Sequence, residues 1–203
     1  MKFSETKYPI MERFYTIQGE GVYTGFPAWF IRLAGCDVGC VWCDVKESWS
    51  TANYPVLDSE FLAQEASLSG TKIVVITGGE PCLYDLTVLC NALHQKGLKV
   101  HLETSASSPI LGDFDWICIS PKKFKAAIPS ELIKANELKV VVFHPSDIEW
   151  AQSFVKDISI NCKLLLQPEW SKSNKVLPLC IDFVKKNTNW QISLQTHKFM
   201  QIP

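Results

Sequence analysis

The chain has 203 residues, a formal net charge of −1 and a pI near 6.4, and no stretch approaches the roughly eighteen apolar residues of a membrane-spanning helix. That balance argues against nucleic acid or an anionic membrane as partner, and favours one domain over residues 1–203 acting on a small molecule. The charged start, Met1-Lys2-Phe3-Ser4-Glu5-Thr6-Lys7-Tyr8, lacks an apolar signal core, so a reducing, cytoplasmic location is expected, where thiols serve as ligands or buried apolar groups and disulfides are rare.

The first predicted strand, 28–33, leads into Ala34-Gly35-Cys36-Asp37-Val38-Gly39-Cys40-Val41-Trp42-Cys43-Asp44. Gaps of three and two residues between the cysteines let one tight loop turn three thiolates toward a common point. Three ligands are one short of a structural zinc site, whereas a four-iron cubane held by three cysteines keeps one iron open. A predicted helix, 59–69, and a strand, 72–76, then end at Thr77-Gly78-Gly79-Glu80-Pro81. The two glycines let a ligand approach the backbone, and Glu80 with nearby amides suits the ammonium and carboxylate of an amino acid; a tight turn is the alternative reading.

Helix 86–96 and strand 98–102 follow, ending at Glu103-Thr104-Ser105, and strand 116–119 ends at Ser120-Pro121-Lys122. A segment of weak pattern replaces the next helix. Strand 138–143, helix 147–155, strand 163–166 with Gln167-Pro168-Glu169 at its end, helix 176–186 and strand 190–194 complete the chain. Alternating strands and helices predict a parallel α/β sheet of right-handed crossovers, curled toward a pruned, partial TIM-like barrel. Ligands belong at the strands' C-terminal ends, where the chemistry-bearing residues fall. Cys82, Cys90, Cys118, Cys162 and Cys180 sit singly in apolar runs and read as small buried hydrophobes.

The cysteine loop and the Gly-Gly-Glu-Pro element resemble the signature of the radical S-adenosylmethionine superfamily. The run Phe14-Tyr15-Thr16-Ile17-Gln18-Gly19-Glu20-Gly21, Arg32 four residues before the first cysteine, and the ending Gln195-Thr196-His197-Lys198-Phe199-Met200-Gln201-Ile202-Pro203 narrow this. Nearly end to end, the chain resembles the 7-carboxy-7-deazaguanine synthase family, which contracts the ring of 6-carboxy-5,6,7,8-tetrahydropterin with loss of ammonia on the way to queuosine and related deazapurines. The resemblance implies a barrel of the radical S-adenosylmethionine type with short terminal substrate-binding extensions, and a [4Fe–4S] cluster on Cys36, Cys40 and Cys43. It places the pterin on Ile17, Gln18, Gly19, Glu20, Arg32, Thr104, His197 and the α-carboxylate of Pro203. It places S-adenosylmethionine on Trp42, Asp44, Gly79, Glu80, Ala106, Ser120, Lys122, Gln167 and Glu169.

The chemistry of those residues agrees with such a substrate. Gln18 can pair donors and acceptors in the pterin plane, a carboxylate suits its guanidine-like edge, and Arg32 offers a planar fork for its carboxylate. Trp42 reads as a shield for the cluster or a stacking partner for adenine, with loop packing as the alternative. No catalytic side chain is expected beyond cluster and cofactor. The resemblance also implies an external one-electron reductant of the flavodoxin or ferredoxin type and a homodimer. Relatives commonly hold magnesium through a hydroxyl at the position of Val45, so a weakened or absent magnesium site is expected. Ala106 stands where relatives often have glycine. An activating enzyme for a glycyl-radical protein, or a zinc-stabilised binding module with Asp44 or a histidine as fourth ligand, are the competing readings.

Overall fold

The computed structural model describes residues 6–203. Strand β1 (Lys7–Ile17) runs antiparallel to β2 (Pro27–Leu33), and a short β3 (Val56–Asp58) pairs antiparallel with the start of β1. Helix α1 (Ser59–Leu68) begins where the Asp58 carboxylate accepts the Glu60 amide at 2.9 Å, a side-chain cap on an otherwise unpaired donor. The chain continues through β4 (Ile73–Gly78), α2 (Thr87–Gln95), β5 (Lys99–Thr104) and β6 (Trp116–Ile119). One helical turn, α3 (Pro129–Leu132), stands where the sequence predicts a missing helix. Strand β7 (Glu137–Val142), helix α4 (Ser146–Gln152), β8 (Lys163–Pro168), α5 (Ser173–Lys186), β9 (Trp190–Ile192) and α6 (Thr196–Met200) complete the order.

The sheet has nine strands in the order β3-β1-β2-β4-β5-β6-β7-β8-β9, with every pairing from β2 through β9 parallel. Each predicted strand is present, and the sheet stays open, with β3 and β9 at its edges. This is the partial TIM-like barrel that the alternating pattern predicts. Val74, Ile76, Val100, Leu102, Ile119, Leu138, Val140 and Leu166 are buried against Leu62, Ala66, Leu89, Leu93 and Val176 of the helices. Burial of each such aliphatic side chain contributes about 1.5–3 kcal/mol, and that is what holds helix to sheet.

Two features place the functional elements. The loop between β1 and β2 folds inward: the Gly21 amide donates to Ser193 Oγ at 2.9 Å, the Val22 amide to Glu137 Oε2 at 3.1 Å, and the Thr196 amide to Gly19 O at 2.8 Å. Gly21 has φ +71°, and a Cβ there would lie 2.2 Å from Glu137 Oε1, so a side chain would be strained and would push the Glu137 carboxylate aside. At the end of β4, Gly78 has φ +140° and packs so close to β2 that a Cβ would meet Leu33 O at 2.1 Å. That close approach carries Gly79 and Glu80 beside the cysteine loop, where the Gly79 amide donates to Leu33 O at 3.0 Å and the Glu80 amide to Gly35 O at 2.9 Å.

Candidate active site

The C-terminal ends of the parallel strands open into a cavity of about 280 Å3. Cys36, Cys40 and Cys43 line it from the loop after β2, which is pinned by the Gly35 amide to Ser48 O at 2.6 Å, Cys36 to Trp49 O at 3.2 Å and Cys43 to Cys40 O at 3.2 Å. Cys40 is buried and the other two are half-buried. Burial pushes the Cys40 thiol up to about 11 and raises that of Cys36. Thiols in such a setting ionise readily only beside a strong positive charge, which a bound metal supplies. Among the described residues no set of three His, Cys, Asp or Glu side chains is already drawn together as a cage. Three soft donors on one short loop, facing an open cavity, fit an iron–sulfur cluster with one iron left for a further ligand.

Glu80 is the best-connected polar group in the cavity wall. Its carboxylate is buried and accepts from the Cys82 amide at 3.0 Å, the Ser105 amide at 2.9 Å, and the hydroxyls of Thr104 and Ser105 at 2.5 Å each. Thr104 accepts in turn from the Ala106 amide at 3.0 Å, so the ends of β4 and β5 form one network. Replacing Glu80 by Gln sets an NH2 group against two of these donors. The expected result is a destabilised fold, by about 1–3 kcal/mol for each buried group left unpaired; denaturant unfolding of Glu80→Gln measures it, and a midpoint equal to that of the unaltered protein would contradict the arrangement.

Lys122 Nζ donates to Ser120 O and Ser120 Oγ at 2.6 Å each and lies 5.7 Å from the centre of the Trp42 ring. Burial lowers its pKa. Trp42 also meets Phe124 edge-on at 6.2 Å, which walls the cysteine loop on one side. Gln167 is buried and accepts from Ser193 Oγ at 2.8 Å, and Glu169 accepts from the amides of Ser171 and Lys172 at 3.1 Å. Asp44 pairs with Lys198 Nζ at 3.0 Å.

Across the cavity, Gln18 Oε1 accepts from the Glu20 amide at 3.1 Å, and Arg32 Nε donates to Glu12 Oε2 at 2.9 Å while its side chain lines the cavity. His197 packs on Gly19, where a Cβ would lie 2.4 Å from its Nδ1. Burial lowers the His197 pKa, keeping the ring neutral near pH 7. Pro203 lines the same cavity, with Thr16 Oγ1 donating to its main-chain oxygen at 3.4 Å. Of the residues singled out in the sequence, Ile17, Gln18, Gly19, Glu20, Arg32, Thr104, His197, Pro203, Trp42, Asp44, Val45, Gly79, Glu80, Ser120, Lys122, Gln167, Glu169 and the three cysteines all line it. Ala106 does not: it is fully buried at φ 57°, its carbonyl accepting the Ile128 amide at 2.8 Å.

Several lining residues carried no signal strong enough to be singled out. Lys139 is only 3% exposed and donates to Glu20 Oε2 at 2.7 Å and Glu103 Oε2 at 2.8 Å. Gln195 Nε2 donates to Glu20 Oε1 at 2.8 Å. Burial opposes the charge on Glu20, but the Lys139 ammonium and these hydrogen bonds win, holding its carboxyl down at about 2. Phe14 and Phe30 stack with centres 5.5 Å apart and add an apolar wall. A lysine inside an otherwise apolar strand was the one legible hint for Lys139. The five remaining cysteines are buried, as their apolar surroundings predict.

Comparison with known proteins agrees with this geometry. The model of the Radical SAM superfamily matches residues 30–124. A 7-carboxy-7-deazaguanine synthase of Flavobacterium psychrophilum is 46% identical over 96% of this chain and 92% of its own length. One from Synechocystis sp. is 43% identical over 96% and 93%, and one from Escherichia coli 34% identical over 97% and 99%. The crystal structure of QueE from Escherichia coli superimposes with a TM-score of 0.85 at 33% identity, covering 93% of each chain. Identity at this level across nearly the whole of both partners shows that the chain belongs to the 7-carboxy-7-deazaguanine synthase family of radical S-adenosylmethionine enzymes.

Proposed function

We propose that this protein is a radical S-adenosylmethionine lyase that contracts 6-carboxy-5,6,7,8-tetrahydropterin to 7-carboxy-7-deazaguanine with release of ammonia, in the biosynthesis of queuosine and other 7-deazapurines. One observation carries the reading: three cysteines, the Glu80 network and the Gln18–Glu20 loop with Arg32 line a single cavity at the strand ends. Cys36, Cys40 and Cys43 would hold a [4Fe–4S] cluster, which together with S-adenosylmethionine would supply the radical chemistry of the reaction. The chain's own groups bind and orient. Arg32 takes the pterin carboxylate, with Gln18 in the ring plane and Glu20 at the donor edge, while Ile17, Gly19, Thr104, His197 and Pro203 complete the pocket. Gly79 and Glu80 receive the methionine ammonium, with Asp44, Ser120, Lys122, Gln167 and Glu169 around the rest of the cofactor. Trp42, Phe14 and Phe30 keep water from the reacting carbons. A flavodoxin- or ferredoxin-type reductant, a homodimer, a single domain with short substrate-binding extensions and a cytoplasmic location complete the proposal. Among the described residues no helix is long and apolar enough to cross a membrane.

The assignment is tested by iron and sulfide analysis of anaerobically reconstituted protein. About four of each per chain and a brown colour are expected, and a colourless zinc protein would refute it.

Magnesium is proposed to contribute little. Asp44 is already paired with the Lys198 ammonium, and Val45 offers no side-chain oxygen to an ion that demands near-octahedral oxygen at about 2.0–2.1 Å. Turnover is therefore expected to be nearly insensitive to chelator and to added magnesium, with stimulation emerging in Val45→Thr. A large magnesium stimulation of the unaltered protein would contradict this.

A further inference from the structure

One side chain at the base of the cavity has a burial and charge that neither cluster nor cofactor accounts for. Lys139, on β7, is 3% exposed, and its ammonium is shared by two carboxylates from different elements: Glu20 of the β1–β2 loop at 2.7 Å and Glu103 of β5 at 2.8 Å. The remaining oxygens are held by amides, Glu20 Oε1 by Gln195 Nε2 at 2.8 Å and Glu103 Oε1 by Gln18 Nε2 at 3.4 Å. Lys139, both glutamates and both glutamines line the cavity. Two residues earlier on β7, Glu137 accepts the Val22 amide at 3.1 Å, so a single strand holds the loop that carries Gln18 and Glu20 at two points, Glu20 and Val22.

A buried lysine is a costly way to brace a loop, since an apolar side chain of equal size would fill the space without desolvating a charge. What the ammonium adds is chemical. Two carboxylates this close would otherwise share a proton, and a carboxyl that keeps a proton presents a donor where the ligand needs an acceptor. We propose that Lys139 is a positioning residue for substrate recognition, tying Glu20 and Glu103 into an acceptor-only floor that selects a neutral, donor-edged heterocycle such as an aminopyrimidinone. This rests on the reading of Glu20 as a substrate-binding residue. One cation for two carboxylates leaves the floor with a net negative charge, which favours N–H edges and disfavours an anionic ring. The other ionisable groups facing the cluster are Glu137 and Cys118 from the sheet, His197 from α6, and Lys122. Burial pushes the Glu137 carboxyl up from its ordinary range, against the Lys139 ammonium, which draws it down.

The test is fluorescence titration with 6-carboxypterin, a non-reacting ring with the same donor edge and carboxylate, into cluster-loaded protein with S-adenosylmethionine. It is run from about pH 5.5 to about 7.5, below deprotonation of the ring. The unaltered protein and Lys139→Arg are expected to bind with a dissociation constant that varies little beyond the shared contribution of His197. Lys139→Met is expected to bind about tenfold more weakly at the acid end and to recover as pH rises, the loss expected when a floor carboxyl gains a pKa about one unit above the acid-end pH. Lys139→Gln gives a second uncharged variant should the first fail to fold. Weakening by the same factor at every pH in Met, Gln and Arg variants would assign Lys139 a purely structural role and overturn the inference, as would unchanged binding in all three. Glu20→Gln separates the two layers. If it weakens binding while Lys139→Met does not at any pH, only the inference fails; if Glu20→Gln binds like the unaltered protein, the reading of Glu20 fails and the inference with it.

Discussion

Cys40→Ala protein, reconstituted anaerobically with iron and sulfide, is expected to retain no stable four-iron cluster and no turnover. In the proposed cluster each of the three cavity thiols would supply one of the three protein ligands, and the other five cysteines are buried in the core where their side chains cannot substitute. The same loss is expected at Cys36 and Cys43. Cys82→Ala is the matched control. Cys82 follows Glu80 by two residues and burial pushes its thiol well up, yet its contribution to the site is its backbone amide, 3.0 Å from Glu80 Oε1, which alanine keeps. Full iron content and cofactor cleavage in Cys40→Ala would remove the cluster from this loop.

Arg32→Lys is expected to weaken substrate binding strongly while leaving the slow cleavage of S-adenosylmethionine without substrate intact. Arg32 Nε is held by Glu12, its cross-strand neighbour on β1, at 2.9 Å, which leaves the two terminal nitrogens of the guanidinium for the cavity. A lysine has one ammonium for both tasks, and pairing with Glu12 would draw it away from the substrate carboxylate. The expected cost is about 1.5–3 kcal/mol for the charge-assisted hydrogen bond lost, or roughly ten- to a hundredfold in the dissociation constant. Glu12 is itself nearly half exposed, so its substitution is expected to cost far less. An unchanged pterin dissociation constant in Arg32→Lys would place the carboxylate elsewhere.

The parallel half of the fold was legible because its strands are apolar runs punctuated by turn residues, and the same punctuation marks the strand ends where ligands bind. Strand β1 was not, because it carries Pro9, Glu12 and Arg13 and is buried on one face only near its start. Residues 14–21 stood out as a motif for their chemistry, while their strand and inward-folding loop became visible only through Ser193, Glu137 and Thr196, which lie more than a hundred residues away. Lys139 shows the limit of local reading. In sequence it is one charge in an apolar strand; its meaning depends on carboxylates that arrive from β5 and from the β1–β2 loop. Ala106 shows the reverse, a residue at the right strand end whose left-handed backbone turns it into the core.

The most direct test is anaerobic incubation of the reconstituted protein with 6-carboxy-5,6,7,8-tetrahydropterin, S-adenosylmethionine and a one-electron reductant, following product and ammonia together. 7-Carboxy-7-deazaguanine and ammonia are expected in equal amounts, dependent on all three components. No deazapurine from this substrate, despite a full cluster and cofactor cleavage, would contradict it.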